Sequence, residues 1–580
     1  MKKTFLLSCL MLAAMPVMAA YTGHVYVDKN KNGVFDQSEK PLAGIKVSDG
    51  LNVVETAADG SFTLPGHERE RFIFITTPSG YKTFNRHYHK IEKKQSGYDF
   101  GLIPYSGRIR KNGSHRYIHI ADTEIFNTEN HADWVNNVRD YARNEQAAFI
   151  IHTGDICYEK GLKAHIKLMN TENMDCPVFY CIGNHDLVKG KYGEELFESI
   201  YGPVYYSFDA GNVHYVVTPM PGGDHAPGYT SDDVCRWLKN DLAHIRPGTP
   251  VVVFNHDLLT YEDTFIFKSK NAGSINLNEY NLKAWVYGHW HINYMKKQGD
   301  VYSVCTSSLD KGGIDHSTTA FRVMHVDSKG DFTSELRYTY LDKNICIASP
   351  AGVMASGVLP VAVNVYSSVS PVREVLYTCL ADGKPVLKNK RLLQSTDWSW
   401  NGELPLSHKY VGKELTLRVT ARFNNGEIAE AESHFICRTE KAVPLFSADW
   451  DNLSGNAKHS APVSAPLNLP LQLAWTNNVG ANLYMTSPLI HKGKVIVASV
   501  DEDLKGVGHV YVLNGKDGTI LWSCPVRNSI KNSIAVDSDI VFAQDAQGFL
   551  YAIDTETGKL CWEKQLPVNG LPNGQTTLEK

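Results

Sequence analysis

The chain has 580 residues, more than one hydrophobic core usually serves, so we expect about three to five domains. With 43% hydrophobic and 21% charged residues, its composition is typical of globular proteins that bury sizeable cores. The formal net charge of −4 argues against a general binder of nucleic acid or of anionic membrane surfaces.

The N-terminus has the layout of a secretory signal peptide. Lys2 and Lys3 precede an apolar run, and the small residues Ala19 and Ala20 follow it. The run is shorter than the roughly 20 apolar residues that a membrane-spanning helix needs. We therefore expect residues 1–20 to be a cleaved signal peptide, no membrane span in the rest of the chain, and a periplasmic or secreted protein.

Residues 21–105 alternate short β-type runs with Gly, Asp and Pro turns, which predicts a small N-terminal β-sandwich. Within it, residues 28–39 (DKNKNGVFDQSE) match the spacing of an EF-hand calcium loop, with Gly33 at its turn position. The oxygen-bearing positions of this pattern are Asp28, Asn30, Asn32, Asp36 and Glu39. The loop resembles calcium-binding loops of bacterial surface β-domains, which implies a structural calcium ion. An Asx-rich turn between strands is the alternative.

Residues 106–347 have a different sequence pattern. Short apolar runs alternate there with segments of helical period, such as 131–144 and 232–244. Strands interleaved with helices predict a central α/β domain.

Several of these apolar runs end in side chains that commonly bind metals. In chain order they are Asp122, Asp155, Asn184, His185, Asp186, His256, His289 and His291. Each one alone is an ordinary turn or loop residue. Because the ends of strands in an α/β sheet meet at one rim, their succession along the chain instead predicts a single polar site.

The same order of motifs resembles the calcineurin-like metallophosphoesterase superfamily, whose signature is D-x-H, GD-x-x-[D/E], GNH-[D/E], a single His and GH-x-H. The resemblance covers roughly residues 108–347, and GNHD and GHWH are its most specific parts. It implies a four-layer α/β/β/α sandwich, here flanked by all-β domains, and a centre of two metal ions such as Mn, Fe or Zn.

The resemblance also implies which residues bind the metals. Asp155 would bridge the two ions, with Asp122 and His291 on the first metal. The ligands of the second metal would be Asn184, His256 and His289.

The resemblance also implies catalytic roles for two residues that do not bind the metals. His185 would face the phosphate and stabilise the transition state or protonate the leaving group, and Asp186 would orient it. Hydrolysis would proceed by attack of metal-activated hydroxide on phosphorus.

The first two motifs depart from the signature. Glu124 stands where D-x-H has its His, and Tyr158 stands where the second motif usually has an acidic residue. In the purple acid phosphatase branch, which also lacks that His, the second motif is GD-x-x-Y; residues 154–158 (GDICY) resemble it.

Two interpretations of the first metal follow. In one, the Tyr158 phenolate binds Fe(III), as the resemblance implies, and Glu124 is free or outside the metal's own ligands. In the other, Glu124 coordinates and favours harder cations such as Mn or Fe. A purely structural role is the alternative for each residue, a surface carboxylate for Glu124 and a buried aromatic for Tyr158.

The C-terminal part returns to β-type patterns. Residues 348–440 predict an immunoglobulin-like sandwich, and the polar stretch 441–468 predicts a linker. In 469–580, the segments 508–522 and 548–562 repeat with an offset of 40 residues and resemble propeller blades of pyrroloquinoline-quinone-dehydrogenase type. A closed propeller needs about four or more blades, so we expect either a partner chain that completes it or a truncated propeller.

These observations predict a secreted dinuclear-metal phosphoesterase that hydrolyses a phosphate monoester or diester. The expected substrate is a small-molecule, glycan or lipid phosphoester, recognised by loops such as 220–229 and 258–276. The alternative is a catalytically impaired protein of the same fold that serves as a surface or periplasmic binding module.

Overall fold

The computed structural model of the chain describes residues 20–36, 38–439, 448–461, 471–483, 486–502 and 506–566. The predicted signal peptide, apart from Ala20, lies outside these residues, and so does much of the predicted linker. Among the helices of the described part, none has the length and apolar character needed to pass through a lipid bilayer.

Short strands between residues 21 and 104 form two sheets around one core. Strands β1 to β9 are Tyr21–Val27, Lys40–Pro41, Lys46–Ser48, Val53–Glu55, Ser61–Leu64, Phe72–Ile75, Tyr81–Thr83, Tyr88–Lys90 and Phe100–Pro104. One sheet has the order β2-β1-β9-β7 with β5 paired to β1, and the other β4-β3-β6-β8. Strand β5 shows the pattern that packs them, since Phe62 and Leu64 are buried while Thr63 between them is exposed.

The central part contains two larger sheets. Strands β10 to β22 are His115–Ile120, Ile150–His152, Val178–Tyr180, Tyr206–Ala210, Val213–Val217, Val251–Phe254, Ile266–Lys268, Ser274–Asn276, Leu282–Tyr287, Tyr294–Gln298, Val301–Cys305, Ala320–Val326 and Phe332–Tyr338. The first sheet has the order β12-β11-β10-β21-β22, and the second β13-β14-β15-β18-β20-β19. Strands β10, β11 and β12 run parallel, as do β14, β15 and β18.

The described α-helices all belong to this central part. They are α1 (Ala132–Asn144), α2 (Tyr158–Leu168), α3 (Glu195–Tyr201) and α4 (Ser231–Ala243). The periodicity at 131–144 and 232–244 thus predicted α1 and α4 correctly. Helix α4 begins at a capping box, in which Thr230 Oγ1 accepts the Asp233 N–H and the Asp233 carboxylate accepts the Thr230 N–H.

Alternating side chains place the first sheet between two apolar layers. On β10, Tyr117 points into the core shared with the second sheet, whereas Ile118 packs with Trp134 of α1. The second sheet packs with Trp237 of α4 in the shared core. The two sheets therefore hold their strand ends in fixed positions relative to each other.

Residues 344–438 form two further antiparallel-rich sheets with a core of their own. Strands β23 to β31 are Asn344–Ser349, Gly352–Ala355, Val358–Tyr366, Val372–Ala381, Lys384–Arg391, Leu393–Gln394, Ser399–Pro405, Glu414–Phe423 and Ile428–Arg438. Their orders are β23-β25-β29-β28 and β24-β31-β30-β26-β27.

The repeat predicted near the C-terminus is visible as two four-stranded sheets. Strands β32 to β39 are Leu489–His491, Lys494–Ala498, His509–Asn514, Ile520–Pro525, Ala535–Asp537, Ile540–Gln544, Phe549–Asp554 and Leu560–Gln565, and each sheet pairs four consecutive strands. Part of the predicted linker is not free chain, because Trp450 and Ile490 exchange backbone hydrogen bonds of 2.6 and 3.0 Å. We call the part comprising 486–502 and 506–566 the repeat unit.

Candidate metal centre

The polar residues predicted from the strand ends lie together at one rim of the central part. Asp122 and Asp155 follow the parallel neighbours β10 and β11, and His256 and His289 follow the parallel neighbours β15 and β18. The first pair comes from one sheet and the second pair from the other. Because both sheets share a core, their loops meet over its edge.

The carboxylate of Asp155 belongs to two groups of metal-ligand side chains that contain histidine. One group is Asp155, His256 and His289, and the other is Asp122, Asp155 and His291. In each group, one ligand atom per residue lies within 4.8 Å of the others. Two groups that share a carboxylate are the donor set expected for a pair of cations.

His256 is oriented to bind a cation through one particular nitrogen. Its Nδ1 donates a 2.7 Å hydrogen bond to the Thr153 carbonyl, which is the contact that typically fixes a metal-binding imidazole. Its Nε2 lies 3.1 Å from Asp155 Oδ2 and 3.1 Å from Asn184 Oδ1. Asn184, His256 and Asp155 are therefore in direct contact, and their role as ligands of the second metal stays a prediction.

Asp122 is fully buried at the other end of the site. Its two carboxylate oxygens accept the His289 N–H at 3.2 and 3.1 Å. The Nε2 atom of His291 lies 3.5 Å from Asp122 Oδ1. The backbone of the GHWH motif is thus held against Asp122, with His291 beside it.

Glu124, the departure in the first motif, lies in the site. Its Oε1 is 3.5 Å from His291 Nε2, and its Oε2 accepts a 2.8 Å hydrogen bond from Lys311 Nζ. The Glu124 N–H also donates to the Asp155 carbonyl at 3.2 Å. Lys311 carries no motif in the sequence, and only the fold brings it to Glu124.

Tyr158 lies at the rim of the site, at the first position of α2, with 43% of its surface exposed. Its ring stacks on Phe126, which is 55% exposed, at a centroid distance of 6.3 Å. The His185 ring is 5.4 Å away from the Tyr158 ring. Burial and the nearby carboxylate of Asp224 raise the pKa of the Tyr158 hydroxyl, so without a metal it holds its proton.

His185 has an aspartate partner that the motif pattern did not indicate. Its Nδ1 lies 2.9 Å from Asp224 Oδ2, and both side chains are about one-third exposed. Burial alone would lower the pKa of His185, but the hydrogen bond to Asp224 and the charge of Asp155 raise it. Asp224 stands in the loop 220–229, which was expected to line the pocket, yet no residue pattern singled it out.

Asp186 does not orient His185, contrary to the prediction. Its carboxylate is fully buried and accepts three backbone N–H groups at 2.9 Å, from Asp155, Cys157 and Gly183. It therefore fastens the GDICY and GNHD loops to each other. The prediction placed Asp186 by its sequence neighbour, whereas the 3-10 turn Asn184–Asp186 directs the two side chains to different partners.

The backbone of the site adopts conformations that are costly for ordinary residues. Seven of its non-glycine residues have positive φ angles, namely Asp122, Glu124, Asp155, Cys157, Tyr158, His289 and His291. Gly183 permits the closest approach, since a Cβ there would lie 2.2 Å from Asp155 Oδ1. Such backbone persists only where surrounding contacts hold it, and it clusters at functional sites.

The buried charges of the site depend on one another. Burial, with the nearby carboxylate of Asp155, raises the pKa of Asp122 well above its ordinary value. For Asp155, burial would raise the pKa, but the His256 imidazole lowers it. For His256, burial would lower the pKa, but Asp155 and Asp122 raise it to about 9. Without a cation the site therefore retains protons, which binding of cations would displace.

Three other groups of ligand-type side chains occur in the described residues. They are Glu124 with Asp155 and Cys157, Asp49 with His67 and Glu70, and Asp449 with Asp451 and His491.

The predicted calcium loop is not among such groups. Its buried carboxylates accept backbone N–H groups, from Gly33 to Asp28 at 2.9 Å and from Lys29 to Glu39 at 2.9 Å.

Comparisons with known protein families agree with this geometry. Residues 115–293 match the family described as calcineurin-like phosphoesterase, and residues 29–104 match the N-terminal part of calcineurin-like phosphoesterase. Residues 472–577 match the family described as outer membrane protein assembly factor BamB. The central residues are therefore similar to calcineurin-like phosphoesterases, and the C-terminal residues are similar to BamB.

Individual relatives are distant. Purple acid phosphatase 13 of Arabidopsis thaliana is 26% identical over 215 residues, which are 35% of this chain and 36% of the relative. The chain thus spans about a third of the length of that curated relative.

Solved structures with similar segments are more distant still. A predicted phosphoesterase of Streptococcus pneumoniae TIGR4 is 10% identical, covering 39% of this chain and 98% of its own, with a TM-score of 0.19. BamB of Moraxella catarrhalis is 15% identical, covering 16% of this chain and 28% of its own, with a TM-score of 0.15. At such scores neither superposition carries an argument.

Proposed function

We propose that this protein is a phosphoesterase that uses two metal ions to hydrolyse a phosphate monoester or diester. The observation that carries the proposal is the Asp155 carboxylate shared by two groups of ligand side chains. Two cations held by a common carboxylate can bind one phosphate between them. The family match over residues 115–293 supports the same chemistry.

The side chains fit transition-metal ions. Each group combines imidazole nitrogen with carboxylate oxygen, a donor set that suits Mn, Fe or Zn. His256, with Nδ1 fixed by the Thr153 carbonyl, keeps Nε2 for the second metal. When bound, the two ions would polarise the phosphate and supply an activated water.

His185 supplies the proton-transfer group of the proposed reaction. With Nδ1 held by Asp224, its Nε2 is the ring nitrogen that remains for the phosphate or the leaving oxygen. The raised pKa of His185 keeps the imidazole protonated to a higher pH, as a general acid requires. Asp224 thus takes the orienting role that the sequence assigned to Asp186.

For the first metal we propose Glu124 as the oxygen ligand that replaces the family's His. Glu124 Oε1 already lies 3.5 Å from His291 Nε2, whereas the Tyr158 side chain is exposed beside Phe126. Lys311 holds the second oxygen of Glu124 and would steady it in that position. This favours Mn or Fe over the Fe(III)–phenolate alternative.

The remaining expectations form part of the same proposal. We propose export through the signal peptide at 1–20 to the periplasm or outside the cell, and a small-molecule, glycan or lipid phosphoester as substrate. We also propose the four-layer α/β/β/α arrangement for the central domain, supported by the packing of α1 and α4 described above.

The N-terminal loop is proposed to bind a structural calcium ion through Asp28, Asn30, Asn32, Asp36 and Glu39. Calcium should then raise the melting temperature of the protein, because a calcium concentration of 100 times Kd adds about 2.7 kcal/mol to the free energy of unfolding. Glu39→Gln should abolish the shift, while Asp59→Asn, in an exposed turn of the same domain, should keep it. Equal melting temperatures with calcium and with chelator would reject the calcium site.

The function is tested by hydrolysis assays on full-length protein loaded with Mn, Fe or Zn. Aryl phosphate and bis-aryl phosphate, each at several pH values, distinguish a monoesterase from a diesterase. We expect release of the aryl alcohol from at least one of them and none after chelation. Failure on both substrates with every metal would reject the enzyme and favour the binding-module alternative.

A further inference from the structure

The repeat unit is joined to the central domain by polar contacts that are buried. The Asn528 side-chain amide donates to the Met295 carbonyl on β19 at 3.1 Å. Arg322 of β21 donates to the Glu502 carbonyl at 2.8 Å. Met295 stands four residues after His291, the last residue of the GHWH motif.

At the centre of this interface is the buried ammonium of Lys531. Its Nζ lies 2.8 Å from Asp315 Oδ2 and 2.6 Å from the Asn293 carbonyl, and it pairs with the Glu502 carboxylate. The three charged side chains are at most 2% exposed. A charge removed from water in this way is stable only with such partners, so the interface allows few alternative positions.

Asp315 belongs to a segment that touches ligands of the first metal on two sides. We call residues 308–317 the bracing loop. Its Ile314 N–H donates to the His291 carbonyl at 2.9 Å, and its Lys311 ammonium binds Glu124 Oε2 at 2.8 Å. Ser308 forms a β-bridge with Ala121, the residue before Asp122.

Lys531 also reaches the GHWH loop directly. Asn293, whose carbonyl it binds, stands two residues after His291, and the Asn293 side chain accepts the Ser307 N–H at 3.1 Å. Through Asn293 and Asp315, one side chain of the repeat unit therefore fastens both backbone segments that hold His291.

We propose that Lys531 is a positioning residue for the first metal, and that the repeat unit serves as an intramolecular brace for the metal centre. The inference rests on the proposed function only in that Asp122, Glu124 and His291 bind a cation. Contacts from Lys531 fix the bracing loop, the loop fixes His291 and Glu124, and their spacing sets the affinity of the first metal site. The second metal site, around His256, should depend much less on Lys531.

The test compares Lys531→Met with Lys492→Met in the full chain. Lys492 lies in the same repeat unit but its ion pair with Asp539 is exposed, so its loss is a matched control. We expect Lys531→Met to raise the Kd of one of two Mn ions about tenfold, the lower end of the range for removing an outer partner of a ligand. Calorimetric titration of Lys531→Met should show an unchanged Kd for the other Mn ion. In Lys492→Met, the Kd values of both Mn ions should be unchanged.

Hydrogen exchange of the metal-free proteins provides a second readout. Amides of 288–298 and 308–317 should exchange faster in Lys531→Met than in wild type, while those of β33 and β34 should not. Because Lys531→Met removes a buried charge, it can unfold the repeat unit; Asp315→Asn then serves instead. Asp315→Asn keeps the shape of the bracing loop. Lys531 retains its ion pair with Glu502 and its hydrogen bond to the Asn293 carbonyl in this variant.

The outcomes separate this inference from the proposed function. Unchanged exchange in both segments, or faster exchange with unchanged Mn affinity, would overturn the role of Lys531. Wild-type protein that binds two Mn ions but hydrolyses no phosphoester would reject the function and leave the brace to be decided by these readouts. Wild-type protein that binds no metal would overturn both.

Discussion

At the scale of single residues, His185 shows what a motif can and cannot specify. Its place in GNHD predicted a residue that faces the phosphate, but its partner Asp224 comes from a loop 39 positions further along the chain. No pattern marks Asp224, because a side-chain contact of this kind depends only on how loops fold back over the site. Asp186 adjoins His185 in sequence, yet it accepts backbone N–H groups instead.

The pairing predicts a graded effect on catalysis. His185→Asn should lower kcat by about 100-fold or more, the usual loss of a general acid. Asp224→Asn keeps the shape but removes the charge, so we expect a loss of about 10- to 100-fold in kcat with KM little changed. Steady-state kinetics with metal analysis checks both. Loss of bound metal in either variant, or full activity of Asp224→Asn, would contradict the assignment.

Glu124 and Tyr158 are distinguished by geometry rather than by sequence. The motif pattern allowed either residue as the ligand of the first metal, since an oxygen of either can replace the missing His. The fold then brings Glu124 to His291 and places Tyr158 at the rim.

This difference predicts opposite results for two substitutions. Glu124→Ala should reduce the metal content from about two ions to about one per chain, because the first site loses an oxygen donor. Tyr158→Phe should keep both ions and leave the visible spectrum unchanged. Metal analysis and absorption spectra measure the two effects. A charge-transfer band that disappears in Tyr158→Phe would establish the phenolate interpretation instead.

At the scale of elements, periodicity and strand ends were informative because they depend on local chemistry. Apolar runs that stop at Asp or His predicted β10, β11, β15 and β18, and helical period predicted α1 and α4. The packing between elements was not predictable, because it depends on partners distant in sequence. His214 is an example, since this fully buried residue of β14 lies between Asp209 at 2.7 Å and Asp241 of α4 at 2.8 Å.

The His214 contacts predict how stability depends on pH. Burial would lower the pKa of His214, but Asp241 and Asp209 raise it, with Lys46 opposing them. A group whose pKa is raised by folding contributes stability that is fully present below its unfolded value, about 6.5, and is lost as pH rises through the folded value. Asp241, whose pKa His214 lowers despite burial, contributes above about pH 4.

We therefore expect His214→Gln to cost most free energy of unfolding between about pH 4 and 6.5, and progressively less at alkaline pH. Urea unfolding of the full-length proteins at several pH values measures the difference in free energy of unfolding between His214→Gln and wild type. His434→Gln, on an exposed strand position of β31, should change little at any pH. A cost for His214→Gln that grows with pH would contradict this account.

At the scale of the whole molecule, chain length and the changing sequence patterns indicated several domains. Accordingly, successive parts of the chain form separate sheets. The repeat was predicted from its 40-residue offset, and Trp522 of its first sheet donates to the Thr555 carbonyl of the second. Trp562 holds the corresponding place in the second sheet and is 45% exposed. Contact of the repeat unit with the central domain was not predicted, because Lys531 is indistinguishable in sequence from an ordinary surface lysine.

The central claim is that two metal ions share Asp155, and metal stoichiometry tests it most directly. Purified protein loaded with Mn and freed of excess should contain about two ions per chain, the number a two-metal centre requires. Asp155→Asn removes the shared charge from both groups and should leave fewer than about one ion and no phosphoesterase activity. A single Mn ion in wild type, or two ions and full activity in Asp155→Asn, would contradict the account.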